Sequence, residues 1–119
     1  MQQEIQEEAK WLCTKVKTNW EEYDFTEKGT ILQKRVPKLE FSSSCAIECH
    51  NLGTRFVEVR EENKWVISKY IRSYHVVYHG HKYQIEVVAN IAEGRVNGFQ
   101  LHVYLVDDDT SKKVWEEDL

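Results

Sequence analysis

The sequence lacks the features of membrane-spanning and secreted proteins. No apolar run among its 119 residues approaches the ~18 that a membrane-spanning helix needs. The acidic first residues lack the apolar core of a signal peptide, and the three cysteines are an odd number. This cysteine pattern indicates reduced thiols. We therefore expect a soluble, intracellular (cytoplasmic) protein with no membrane partner.

Common active-site motifs are also missing. The glycine patterns of the P-loop and of dinucleotide-binding folds do not occur, nor do the GxSxG and HExxH motifs of hydrolases. Cys45, Cys49 and His50 have a spacing that suggests a metal site. On a strand, however, the two cysteines would stand about 13 Å apart, too far to share one ion. We predict no metal, no cofactor and no enzymatic activity.

The strand assignment around these cysteines rests on an alternation of residue types. Every second residue from 39 to 49 has a small or apolar side chain: Leu39, Phe41, Ser43, Cys45, Ile47 and Cys49. A short helix from near Ser44 to Gly53 remains the alternative, and on a helix the two cysteines could meet.

Glycine is scarce, and Gly80 marks the best-defined turn. Alternating apolar residues flank Gly80-His81, which indicates a two-residue hairpin of type II′, since glycine accepts a positive φ at the first central position. The register that follows pairs Tyr78/Tyr83, Val76/Ile85 and Tyr74/Val87 on one face, and His79/Lys82, Val77/Gln84 and His75/Glu86 on the other.

An amphipathic helix is predicted over about residues 3–23. Its apolar stripe consists of Ile5, Ala9, Leu12, Val16, Trp20 and Tyr23. Glu8 lies off this stripe, so its replacement by Gln should change little. We expect the helix to pack on one face of the sheet.

The fold class predicted is therefore α+β. One domain over residues 1–106 has the N-terminal helix on a strongly twisted, antiparallel sheet of five to seven strands, from about residue 30 to 106. Parity changes between Ile71 and Tyr74, which predicts a β-bulge or strand break near Arg72-Ser73. The last strand turns Phe99, Leu101, Val103 and Leu105 inward. Residues 107–119 are predicted to form a charged C-terminal tail.

The hairpin segment HVVYHGHKYQIEVV, following a long helix, resembles the cystatin-like and helix-grip-like architecture. The QxVxG spacing is not present before Gly80, and no Pro-Trp pair occurs. The resemblance thus implies the architecture by analogy and no inhibitory activity.

Charge and aromatic residues predict where the chain binds. Residues 28–83 hold ten Lys/Arg against five Asp/Glu, a net +5 within a chain of net charge −4. The predicted binding residues, on the exposed sheet face, are Tyr70, Arg72, His75, His79, Lys82, His102 and Tyr104. Aromatic and cationic side chains suit a protein interface. They also suit nucleic-acid binding through the basic, Tyr/His-rich segment 64–83.

We therefore expect a small non-enzymatic binding module of inhibitor, immunity or adaptor type. Its partner would be another protein, or a second copy of the chain in a homodimer. Nucleic acid is the alternative partner. A small ligand held between helix and sheet is a third hypothesis.

Overall fold

The computed structural model describes the chain except for residues 1, 28–29, 42–46, 93–94 and 108. The described part contains one helix and seven strands. In chain order they are α1 (Gln2–Lys15), β1 (Val16–Glu27), β2 (Thr30–Phe41), β3 (Glu48–Glu61), β4 (Lys64–Tyr78), β5 (His81–Ala92), β6 (Arg95–Asp107) and β7 (Thr110–Asp118). None of the described helical residues belongs to a helix long and apolar enough to cross a membrane.

The strands pair in sequence order. β1 and β2 form a two-stranded antiparallel sheet, and β3 to β7 form a five-stranded sheet in which each strand is antiparallel to the next. The expected α+β class, with one N-terminal helix and an antiparallel sheet, is confirmed in this coarse form.

The helix is shorter than predicted. It ends at Lys15 rather than near Tyr23, and the chain continues as β1, whose pairing with β2 runs from Val16↔Phe41 to Glu27↔Thr30. Thr18, Trp20 and Tyr23 are of residue types with high strand propensity, and strand pairing satisfies their backbone groups. The helical spacing of the last stripe residues was therefore misleading.

Two residues of the predicted stripe are buried within the observed helix. Ala9 and Leu12 are fully buried and belong to one core cluster with side chains of β4, β5 and β6. Ile5, Cys13 and Val16 pack against the same cluster. A helix of this length is marginal alone in water, so this burial is what stabilises it.

The β4–β5 hairpin has a different register from the one predicted. His79 and Gly80 form the turn, with φ of 50° and 75°, and Tyr78 pairs with His81. Positive φ at both central residues is the type I′ arrangement, and histidine is among the residues enriched in this region. The predicted pairs are wrong by two residues; the observed ones are Val76↔Tyr83, Tyr74↔Ile85 and Ser73↔Glu86. Because the shift is even, each side chain keeps its predicted face.

β4 is continuous where a bulge or break was expected. Its pairing with β5 runs without irregularity from Lys69 to Tyr78. Its pairing with β3 has two register shifts: one passes over Ser68 of β4, and the other passes over Leu52 of β3, opposite Ser73 and Tyr74. The break was predicted from the change of parity, and also because an unbroken strand over residues 64–79 would span about 50 Å at ~3.3 Å per residue, which looked too long for the domain. The molecule is elongated, with a longest dimension of 46 Å, and accommodates the strand.

The C-terminal residues form a strand that the sequence did not predict. β7 pairs with β6 from Gln100↔Asp118 to Asp107↔Thr110, and Val114 is buried. Charged side chains are normal on such an edge strand, because they discourage pairing with other chains. In β6, Leu101 and Val103 are buried, as the alternation predicted.

The predicted alternation before Cys49 is partly borne out. Leu39, Phe41, Ile47 and Cys49 all belong to the core cluster or pack against it. β3 begins at Glu48, so residues 48–53 are strand and not helix. Cys45 and Ser43 lie outside the described residues.

Replacing Leu12 tests the position of the helix. Leu12→Ala should lower the free energy of unfolding by about 2–5 kcal/mol, since it leaves a cavity at a fully buried site. Glu7→Ala, on the exposed side of the helix, should change it by less than about 0.5 kcal/mol. Urea denaturation of both variants measures the difference, and equal effects would contradict the packing.

Candidate functional site

The five-stranded sheet has a polar face opposite the core. Tyr74, Ile85 and Val103 belong to the core cluster, and side chains alternate along a strand, so their chain neighbours lie on the other side. The outer face, as we define it, is the part of this side from Ser73 toward the hairpin turn, and it consists of Ser73, His75, Val77, Lys82, Gln84, Glu86, His102, Tyr104 and Val106. Farther from the turn, Ile71 and Val88 have the same parity but are buried and apolar. Glu116 and Lys113 of β7 extend it at one edge.

Two rows of paired residues cross this face. One row runs Ser73↔Glu86↔His102↔Glu116, and the next runs His75↔Gln84↔Tyr104↔Lys113. Four predicted binding residues therefore lie on the outer face, at His75, Lys82, His102 and Tyr104. Lys82 is exposed, whereas the other three are half-buried.

Tyr70 and Arg72 lie elsewhere. The pairing of β4 with β5 is regular between Lys69 and Tyr78, so both residues share the parity of Tyr74 rather than that of His75. Tyr70 is 0% exposed and packs edge-on against Phe56 at 5.9 Å between ring centroids. Arg72 is 7% exposed, and its Nε donates to Thr54 Oγ1 at 3.3 Å. Their predicted place on an exposed surface depended on a parity break that the structure puts at Ser68.

His79 is also absent from the outer face. It is the first turn residue of the hairpin, and its Nδ1 lies 3.2 Å from Glu8 Oε2 on the helix. His81 Nδ1 lies 3.1 Å from Glu8 Oε1, and the Tyr83 hydroxyl donates to the same oxygen at 2.6 Å. Tyr78 stacks between the rings of Trp11 and His79, at 4.9 and 3.8 Å. These contacts tie α1 to the hairpin tip.

The expectation that Glu8 is replaceable is contradicted by these contacts. Burial raises the pKa of Glu8, but hydrogen bonds from Tyr83, His81 and His79 outweigh it and leave that pKa below its ordinary value. Burial and the neighbouring Glu8 carboxylate raise the pKa of Tyr83, which keeps its hydroxyl protonated as a donor.

Glu86 is the centre of the outer face. Glu86 is only 6% exposed to solvent, although it lies on the polar side of the sheet. Ser73 Oγ and Gln84 Nε2 donate to Glu86 Oε2 at 3.2 and 3.1 Å, and Arg55 Nη2 lies 3.9 Å from the same oxygen. A buried carboxylate is tolerated only when donors and counter-charges satisfy it, as they do here.

The neighbouring side chains extend this network. His75 Nε2 lies 3.2 Å from Gln84 Oε1, and His102 Nε2 lies 2.8 Å from Glu116 Oε1. Burial, the charges of Glu86 and Glu116, and a hydrogen bond to Glu86 together raise the pKa of Tyr104. The polar groups of this face are therefore held by one another rather than by solvent alone.

The described thiols are poor nucleophiles. Burial, with a hydrogen bond and charge from Glu117, raises the pKa of Cys13 to about 12, and burial raises that of Cys49. Within the described ranges, no three His, Cys, Asp or Glu side chains come together as metal ligands would.

Sequence reasoning missed three residues of these clusters. Glu8 carries no local signal, because its partners are distant in the chain. Ser73 reaches Glu86 only in the observed register, whereas the predicted register put His75 opposite Glu86. Gln84 is two residues from Glu86 on the same face of β5, so its contact does not depend on register. For the central residue, Glu86, the sequence offered one hint: a Glu between Ile85 and Val87 within a predicted strand.

Titration of His102 tests the outer-face geometry. Burial and the charge of Lys113 lower the pKa of His102, while Glu116 and Glu86 oppose them. Lys113→Met should therefore raise the pKa of His102, and Glu116→Gln should lower it further. NMR titration of the imidazole measures both; shifts in the same direction would contradict the arrangement. Lys112→Met, at a position of opposite parity facing Leu105, is the control and should have little effect.

The pH dependence of folding tests the Glu8 contacts. A carboxylate with a lowered folded-state pKa contributes stability that is present above its ordinary pKa of 4.5 and lost as pH falls through the lower folded value. Glu8→Gln should reduce the free energy of unfolding by about 1–2 kcal/mol at pH 7, and should flatten its fall below pH 4.5. Urea denaturation across pH measures this, with Glu7→Gln as control. An unchanged profile would mean that Glu8 is not bonded in solution.

No protein-family model, curated protein or solved structure matches the chain. Its function must therefore be inferred from its own residues and contacts.

Proposed function

We propose that this chain is a non-enzymatic binding module that recognises another protein through the outer face of its five-stranded sheet. In this proposal α1 covers the core side of a twisted sheet and the partner covers the outer face. The observation that carries it is the network around Glu86, in which Ser73, Gln84 and Tyr104 hold a buried carboxylate on the polar side of the sheet.

Such a network favours recognition because its groups are already ordered. Side chains bonded to one another lose less conformational entropy when a partner orders them. Tyr104 is half-buried on the outer face, two residues from His102 in β6 and in the same cross-strand row as His75. Tyrosine is among the residue types that contribute most to protein interfaces, since its ring buries a large area and its hydroxyl still bonds.

The charges of the face favour a protein partner over nucleic acid. Along segment 64–83, Lys64 and Lys82 lie about 40 Å apart at ~3.3 Å per residue. Between them Arg72 is buried and Lys69 is exposed, so the accessible cations of the segment are widely spaced. Glu86 lies in the middle of the outer face, and Glu116 lies at its β7 edge. A nucleic acid would need cations that follow its phosphates, whereas mixed charges suit a protein surface.

The non-enzymatic assignment is supported by the described titratable groups. The thiols of Cys13 and Cys49 have raised pKa values, which disfavours nucleophilic chemistry at neutral pH. Both cysteines are free, which supports action in a reducing compartment such as the cytoplasm. An inhibitor, immunity or adaptor role fits a domain that acts by covering a partner's surface, and a homodimer would use the same face.

A triple variant tests the face. His75→Ala, Lys82→Ala and Tyr104→Ala together should abolish capture of a specific protein from a native-host lysate, while the wild type retains it after nuclease treatment. His79 is left unchanged in this variant because it contacts Glu8. Thermal melting must first show that the variant is folded.

The matched control is Glu4→Ala with Glu7→Ala on the exposed side of α1, which should capture the partner normally. Equal capture by the triple variant would contradict the proposal. If nucleic acid co-purifies instead, Lys82→Ala should lower the slope of log affinity against log salt by about one, which would support the alternative. Sedimentation of wild type and triple variant distinguishes a homodimer.

A further inference from the structure

A cavity of about 390 Å³ lies on the core side of the sheet, away from the outer face. Its apolar lining comes from Leu39 and Phe41 of β2, from Ile47, and from Cys49 of β3. Tyr74 of β4 also lines it, and Asn51 and Lys38 add polar groups. This volume is within the range of small-molecule sites, which are mostly apolar with a few placed polar groups.

The Tyr74 hydroxyl can donate a hydrogen bond, but its two observed partners are themselves donors and cannot accept one. The side chain is buried, at 2% exposure, and its oxygen accepts the Leu39 N–H at 3.2 Å. Arg72 also hydrogen-bonds this hydroxyl. A backbone N–H and a guanidinium are donors only, so neither can receive the phenol proton. Burial raises the pKa of Tyr74, so the proton is present at neutral pH.

The charges near the hydroxyl favour an anionic acceptor. The positive charge of Arg72 acts on Tyr74, and Lys38 lines the same cavity. Glu40, of opposite charge to Lys38, also lines the cavity, so the favourable charge at the hydroxyl itself is that of Arg72. A hydrogen bond to a charged acceptor is about twice as strong as one between neutral groups.

We propose that this cavity binds a small carboxylate with an apolar chain. The chain packs on Leu39, Phe41 and Ile47, and the carboxylate accepts a hydrogen bond from the Tyr74 hydroxyl. The site is independent of the protein-binding face, because Tyr74 has the opposite parity in β4 from Ser73 and His75.

Octanoate is the probe for this site. Added to the full chain, it should bind with a Kd of about 1 mM, as expected for a ligand of its size. It should shift the NMR amide signals of residues 38–41 and 47–51. Octylammonium, which has the same chain length and the opposite charge, should cause no such shifts.

Two hydroxyl deletions separate binding from folding. Tyr74→Phe should weaken octanoate binding by about tenfold or more. Tyr83→Phe removes another buried tyrosine hydroxyl, bonded to Glu8 instead, and should leave the affinity unchanged. If Tyr74→Phe does not fold, Cys49→Leu, which fills the cavity without deleting that hydroxyl, should weaken binding by a similar factor. Absence of shifts, equal binding by octylammonium, or unchanged affinity in the folded variants would overturn the proposal.

Discussion

The Glu8 carboxylate is the contact on which the arrangement of the helix depends. A helix as short as α1 is only marginally stable alone in water. Only a narrow part of its surface, at Ala9 and Leu12, is fully buried. Glu8 adds direction to this burial, because Tyr83 and two histidines of one hairpin bond to its two oxygens. Burial of apolar area is non-directional, whereas these hydrogen bonds fix which end of the hairpin the helix meets. The type I′ turn contributes to the same arrangement. His79 is its first central residue and His81 follows it directly, so both imidazoles lie at the hairpin tip.

Alternation predicted more of this fold than the turn rule did. In the hairpin part of β4 and β5 and in β6 from Leu101, the face of each residue depends only on parity, and parity survives a register error of two residues. The pairs themselves depend on which two residues form the turn. The rule that glycine comes first selected Gly80-His81, yet histidine can adopt positive φ, and the turn is His79-Gly80. Helix length failed for a different reason: the stripe from Val16 to Tyr23 has helical spacing, but its β-branched and aromatic residues pair with β2 instead.

The candidate site divides in the same way. His75, Lys82, His102 and Tyr104 could be placed on one face from their positions alone. Tyr70 and Arg72 could not, because their face depends on where a single bulge residue is inserted, and Ser68 carries no distinguishing signal. Glu86 could be placed on the outer face but not recognised as buried. Its partners include Ser73 and Tyr104 on the two neighbouring strands, and such contacts are set by register.

A polar network of this kind limits what can cover it. Burying Glu86 and its donors further removes the remaining water from charged groups, which is unfavourable unless new hydrogen bonds replace it. A flat apolar surface would therefore bind poorly here, even with good shape complementarity. A partner that supplies donors to the carboxylates of Glu86 and Glu116, and an acceptor to Lys82, would lose less on desolvation. Polar complementarity gives specificity and association rate more than affinity. If the outer face is an interface, its polar network therefore favours one partner with matching polar groups over many partners that bind weakly.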